Sequence, residues 1–500
     1  MAVDTAPAPG ALTLTPDEHT SLVDACRAGV ERARATGRHA LVSWARTCEL
    51  TDPFATWAGA RTRTGRSLYW QSAWDGTTVL AFGSAHDLRA TGAGRLAAVR
   101  SAWTELLRET VTAGRDGSGT GPLAVGGFAF GSGTDGTPGV LPEALMWVPL
   151  VQLRCASPAG PGAPAGPGAP AGPGAPAGAS EAELRLNALV DGSDDPELLT
   201  RALTLRAERC LAARDATAPR PAPRPRASVE TPAAGEWKDL VRRATDRIRA
   251  GDFEKVVLAR RLDVTADREL DVPAAVRRMR ETYAGTTVFA VGHGDTTFLG
   301  ATPEYLVRVE EREVQALGLA GTTPRGATPA EDRALEAELA GSAKLRHEHE
   351  VVVRMLSEAL AESCTRVTAE AEPGVLKLAH VQHLSTPVRA RLPEDSAEGV
   401  LDLAARLHPT PALGGHPRAE ALEWLTRNEG FDRGWYAGGV GWADPEGNGQ
   451  FAVAIRSALV RGDTASLYAG CGLVADSDPE VEYAETCAKL RPMRAALGIE

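Results

Sequence analysis

No run of about 18 apolar residues occurs anywhere in this 500-residue chain, and its N-terminus, MAVDTAPAPGALTLTPDEH, lacks both a basic patch and an apolar stretch. Neither a membrane span nor a secretory leader is expected, and the protein is read as cytoplasmic. No long basic stretch relieves the excess of 65 acidic over 54 basic side chains, a net charge of -11, so neither nucleic acid nor membrane is an expected partner. No CxxC pair occurs among Cys26, Cys48, Cys155, Cys210, Cys364, Cys471 and Cys487, which argues against a disulfide framework or a zinc ribbon. What remains is 43% hydrophobic and 24% charged, the composition of a soluble globular protein with one large core or two modest ones.

Two compositional breaks divide the chain. From Pro158 to about Ser180 the hexamer PAGPGA repeats, and its glycines fail the every-third-residue rule of collagen, so a flexible or polyproline-like insertion is expected. Strand-like sequences on either side, ALMWVPLVQLRC and AELRLNALVDG, suggest that it replaces a hairpin loop. The second break, 214–235 with RPAPRPR inside it, reads as a solvated Pro/Arg linker. The expected divisions are an N-terminal half at 1–157, the insertion at 158–180, a continuation of that half at 181–213, the linker at 214–235, and a catalytic region at 236–500.

In that last region, Trp237, Leu240, Val241, Ala244 and Ile248 recur at helical spacing up to Gly251. Strands are predicted for EKVVLARRLDV, for TVFAVG and on both sides of Pro303. Thr328, Pro329 and Glu331 open a long helical segment, with Gly341 as a candidate interruption. WYAGGVGWAD, GQFAVAIRSALV and SLYAGCGLVA predict three strands of one antiparallel meander, and a last helix starts at Asp478-Pro479 with Ser477 and Glu480 as a capping box. Hairpin-paired strands and separate long helices indicate an α+β fold. GCGLVA matches a dinucleotide-binding pattern, but no helix opens there, so its glycines are read as letting backbone approach a small ligand.

Glu348 falls in an apolar stripe with Leu345, Val352, Leu356 and Ala359, so a carboxylate is expected to face the interior, either paired with Lys344 or an arginine or ligating a metal. Glu482, Glu485 and Lys489 share one face of the final helix. Inward carboxylates from two helices would suit Mg²⁺, although an acidic solvated face is the plain alternative for the second pair. Lys255 lies in an apolar strand, as a base of lowered pKa or as a lysine that snorkels to solvent. Glu304 is a general acid or a turn residue.

Taken in order, KVVLAR (255–260), GATPEYL (300–306), LAGTTPRG (319–326), KLRHEH (344–349), QHLSTP (382–387), LHPTPALGG (407–415), FDRGWYAGGVGWADPEGNGQFAVAIRSA (431–458), YAGCGLV (468–474) and EYAETCAKL (482–490) resemble the chorismate-utilising enzymes, most closely their isochorismate-forming branch. The likeness spans about 237–497, with a weaker likeness over 38–155. The resemblance implies antiparallel sheets packed face to face with helices outside. It also implies an Mg²⁺-dependent isomerase that adds water at C2 of chorismate and expels the C4 hydroxyl, for menaquinone, siderophore or salicylate synthesis. Lys255 then matches the general base and Glu304 the general acid. Glu348 and Glu485 match metal ligands, with Glu482 as their acidic neighbour. His383, Ala412, Leu413, Tyr436, Arg456, Gly470, Gly472 and Lys489 match the substrate-lining positions. Ala320 stands where amine-transferring relatives carry a nucleophilic lysine, and Leu345 where many members carry an acid. A salicylate synthase and a non-catalytic binding homologue are the alternatives. The expected partner is the small-molecule substrate alone, and the expected state a monomer or weak oligomer.

Overall fold

The computed structural model describes residues 14–114, 121–132, 141–155, 180–212, 221–283, 285–378 and 381–500. Its strands fall into two sheets, of 13 and 10 strands, antiparallel throughout except where Thr110–Gly114 lies parallel to Ala40–Leu50 at one edge. Many strands, among them Thr78–Phe82 and Ala144–Val148, are buried at every position. That pattern arises because each sheet is covered on both faces. Between the sheets lie Trp70, Phe289 and Phe298 from one and Trp147 and Trp442 from the other. On the outer faces the helices Pro16–Thr36, Pro196–Leu211, Val272–Thr282 and Pro479–Leu497 cover the larger sheet, while Arg95–Arg108, Ala343–Ala361 and Val400–Leu407 cover the smaller. The α+β sandwich expected from the sequence is the fold observed. No helix among the described residues is long and apolar enough to cross a membrane.

Both sheets run unbroken through the two halves of the chain. In the larger, Arg66–Gln71 pairs with Thr287–His293; in the smaller, Ala124–Phe128 pairs with Gly439–Ala443. Outward from its join, the larger sheet continues on one side through Thr296–Thr302, Ser457–Arg461, Thr464–Leu473 and Lys255–Ala266. On the other side it continues through Thr78–Phe82, Val151–Cys155, Ser180–Val190 and Ala40–Leu50. The chain visits these positions in the same order in each half, so one topology is used twice. The second half alone carries an extra segment from Glu313–Pro324 to Val381–Arg391, containing the helices Pro329–Gly341 and Ala343–Ala361.

Helix starts follow the local chemistry. Thr328 accepts from the Glu331 amide, Gly341 ends that helix, and Ser342 restarts the chain by accepting from the Leu345 amide. Three expectations need correction. The final helix is capped by Asp478, which accepts from Glu480 and Val481; Ser477 instead accepts from the Val474 amide. The region expected as a solvated linker contains the strand Pro225–Thr231, which orders by pairing its backbone with the edge of Lys255–Ala266 while its side chains stay largely exposed. The expected meander is divided between the sheets: Gly439–Ala443 and Gly449–Val453 pair in the smaller, Ser457–Arg461 and Thr464–Leu473 in the larger. The chain crosses between them at Arg456, whose φ is 51°.

The repeat from Pro158 lies outside the described residues, apart from Ser180, which opens a strand. Its flanking strands pair as a hairpin does, with Cys155 opposite Ala182. Replacing 158–178 by a short turn is therefore expected to change stability by no more than about 1 kcal/mol, since loop-closure entropy varies slowly with length. A denaturant melt that moved further would show that the segment packs on the body.

Candidate active site

Lys255 opens the strand Lys255–Ala266, between Thr464–Leu473 and the short strand Gly415–His416. Its Nζ donates to Glu348 Oε1 at 2.6 Å. The interior carboxylate expected from helix periodicity is present, but its partner is this lysine and not Lys344 or an arginine. Burial opposes ionisation of Glu348, but the ammoniums of Lys255, Lys489 and Lys344 together outweigh it and hold the carboxyl below its usual range. The stem of Lys255 runs over Gly472, where a Cβ would fall 2.8 Å from Cε and 3.4 Å from Glu348 Oε1. Glycine at 472 thus makes room for an ion pair, a use of the glycine-rich strand that its sequence only half suggests.

Glu304 lies where the chain passes from Thr296–Thr302 in the larger sheet to Tyr305–Glu310 in the smaller. The second crossing, at Arg456, is bonded to it: Val453 donates to the Glu304 carbonyl at 3.0 Å, and Ala301 to the Arg456 carbonyl at 3.1 Å. Burial pushes the Glu304 carboxyl up to about 8, against the pull of Lys255, Lys489 and Arg456. It holds its proton at neutral pH and can donate it.

From the final helix, Glu485 contacts Lys489 Nζ at 2.5 Å, and that ammonium also donates to the Gly470 carbonyl at 2.9 Å. Burial, with the Glu485 charge beside it, raises the Glu482 carboxyl. Burial depresses the pKa of the Arg456 guanidinium, which forms no ion pair among the described residues. His383 is held neutral, its pKa pulled down to about 3 by burial and by Arg456 and Lys489. Its Nδ1 lies 2.9 Å from Thr322 Oγ1, while Nε2 is buried without a partner among the described residues. Tyr436 stacks on Tyr468 with centroids 5.1 Å apart.

These residues, together with Ala412, Leu413, Gly470 and Gly472, line one cavity of about 300 Å³, so every candidate named from the sequence comes to a single place. Also in its wall are Thr322, Arg433 and Tyr468, which the sequence reading passed over. Tyr468 opens YAGCGLV, and Arg433 lies four residues beyond Glu429, a spacing that could have flagged it. The cavity offers a protonated carboxyl, an ammonium, an unpaired guanidinium and carboxylates on two helices. Among the described residues no three His, Cys, Asp or Glu side chains group into a closed metal cage. Few carboxylates beside an open cavity is the sparse oxygen donor set that Mg²⁺ takes, completed by water and substrate oxygens, and Glu348 and Glu485 fit it.

A family model described as "Chorismate binding enzyme" matches residues 28–159 and 177–498. The "Salicylate biosynthesis isochorismate synthase" of Pseudomonas aeruginosa is 46% identical over 263 residues, 53% of this chain and 55% of that protein. The "Isochorismate synthase MenF" of Bacillus subtilis is 41% identical over 265 residues, 53% of this chain and 56% of that one. The chain thus spans little more than half the length of these curated relatives. The structure of MenF, the menaquinone-specific isochorismate synthase of Escherichia coli, superposes with a TM-score of 0.73 at 24% identity, covering 95% of this chain and 100% of that one, a likeness of fold.

The raised pKa of Glu304 has a consequence for stability. Between the ordinary value of 4.5 and about 8 the unfolded chain has lost a proton that the folded protein keeps, so stability falls as pH rises through that window. Glu304→Gln is expected to remove this slope, on the order of a few kcal/mol across the window. Parallel denaturant melts at several pH values check it, and identical pH profiles for both proteins would refute the protonated carboxyl.

Proposed function

The chain belongs to the family of chorismate binding enzymes, and on that premise we propose that it is an isochorismate synthase, converting chorismate to isochorismate. Lys255 takes a proton from water as the oxygen bonds to C2. The ring double bond shifts, and Glu304 gives its proton to the C4 hydroxyl, which leaves as water. One water enters and one departs, so substrate and product are isomers. Arg456, with a planar fork and no carboxylate of its own, suits one substrate carboxylate. His383, Ala412, Leu413, Tyr436, Gly470, Gly472 and Lys489 shape the rest of the pocket. Mg²⁺, held by Glu348 and Glu485 with Glu482 beside them, would supply positive charge to a second carboxylate. For Lys255 to act as a base its ammonium must first release a proton to solvent and leave Glu348, so the bonded pair is the resting arrangement.

The observation that carries this reading is that Glu304, its carboxyl raised by burial, shares one cavity with Lys255 and with an Arg456 that forms no ion pair among the described residues. Alanine at 320 leaves water, not a lysine side chain, as the nucleophile. The purified protein is expected to convert chorismate only with Mg²⁺ present, and chromatography should identify isochorismate. Lys255→Ala should lower kcat by about 10² or more, the usual contribution of a positioned base. Glu304→Gln should block the reaction in both directions. Glu348→Gln and Glu485→Gln should lose Mg²⁺-supported turnover while still folding. Release of salicylate and pyruvate would reassign the product, and no turnover by the unaltered protein would overturn the reading.

A further inference from the structure

Arg433 lines the cavity, yet its donors are turned away from any ligand. Its Nε and Nη2 both donate to the Glu429 carboxylate at 2.6 Å, its Nη1 to the Leu413 carbonyl at 3.0 Å, and Nη2 again to the Val257 carbonyl at 2.6 Å. Glu429 Oε1 also accepts from the Ala259 amide at 2.7 Å. Both side chains are buried, at 3% and 5% exposure, and the guanidinium stacks on Phe130 at 4.1 Å. One planar group therefore joins three parts of the chain: the loop that supplies Ala412 and Leu413 to the cavity, the strand that begins with Lys255, and the end of the helix Arg418–Asn428.

We propose that Arg433, locked by Glu429, is a positioning residue that fixes the 410–414 wall against the Lys255 strand and so sets how the substrate ring lies relative to the lysine. The proposal rests on the cavity being a chorismate site. The loop is already zipped to the strand by the Val257 amide donating to Gly414 at 2.9 Å and by the Glu254 amide donating to His416 at 2.7 Å. Those bonds fix its far end. The Leu413 carbonyl, next to the cavity, is held by Arg433. Only a rigid fork reaches a carboxylate and two carbonyls together; a lysine ammonium is a point charge on a flexible stem. Neutralised by Glu429, the arginine adds no net charge to the wall, which leaves anion binding to Arg456.

Two variants test this: Arg433→Lys, and the double variant Glu429→Gln/Arg433→Met, which removes both charges and leaves none buried alone. Each is expected to raise KM for chorismate about tenfold with a smaller fall in kcat, because the wall binds the ring but does not move protons. The pH profile of kcat should stay that of the parent, since Lys255 and Glu304 are untouched. Amide hydrogen exchange should accelerate over 410–416 and stay unchanged in the sheets. Folded variants with parental KM and parental exchange at 410–416 would overturn the proposal, as would failure of both variants to fold, which would assign the pair to stability. If the parent protein did not turn over chorismate, the functional reading would fall, while exchange at 410–416 would still decide whether Arg433 holds the wall.

Discussion

Charge in a buried cavity has to balance nearby, and that constraint organises the site. Two lysines stand against two carboxylates, Lys255 with Glu348 and Lys489 with Glu485. Glu304 has no such partner at bonding distance and resolves its burial by keeping a proton. Arg456 forms no ion pair among the described residues, with Glu485 acting on it only through space. The three groups therefore differ in state: a neutral carboxyl, an ammonium tied to a carboxylate, and a guanidinium with no ion pair among the described residues.

The sheets decide where this happens. The chain passes between the sheets several times, and two of these crossings, at Pro303-Glu304 and at Arg456, are bonded to each other. A crossing breaks the alternation of side chains and frees a polar group from the ladder, so Glu304 and Arg456 both arise where the sandwich is joined to itself. Arg456 and Ala437, another wall residue, both have positive φ, backbone that the surrounding packing must hold in place. Glu348 and His383 come from the segment that the second half carries beyond the shared topology.

The sequence told part of this well. Helix starts at Thr328 and Asp478 and strands at Lys255 and Thr287 rest on local spacing and capping, which a linear reading captures. The division of GQFAVAIRSALV between two sheets was hidden, because nothing local marks Arg456 as a left-handed residue. The strand Pro225–Thr231 was hidden as well, since its order comes from an edge supplied by later residues. Each site residue was ambiguous alone and became specific only through the ordered motifs shared with a family. The Lys255–Glu348 pair joins residues 93 apart and leaves no trace in either neighbourhood. Arg433 and Glu429 went unread, since the helix ends at Asn428 and only burial distinguishes the pair beyond it.

The doubled topology also gives the molecule two unlike poles. In the second half the strands Ser457–Arg461 and Thr464–Leu473 are joined by a tight turn at Gly462-Asp463, and Gly470 and Gly472 enter the cavity at the opposite end of the latter strand, roughly 25 Å away at the usual rise per residue. The matching turn in the first half is where residues 156–179 are inserted. Length has been added between two strands whose counterparts in the second half are joined by a two-residue turn. The pairing of Cys155 with Ala182 persists across it, so the ladder between these strands is set by their own residues and not by the length of what joins them.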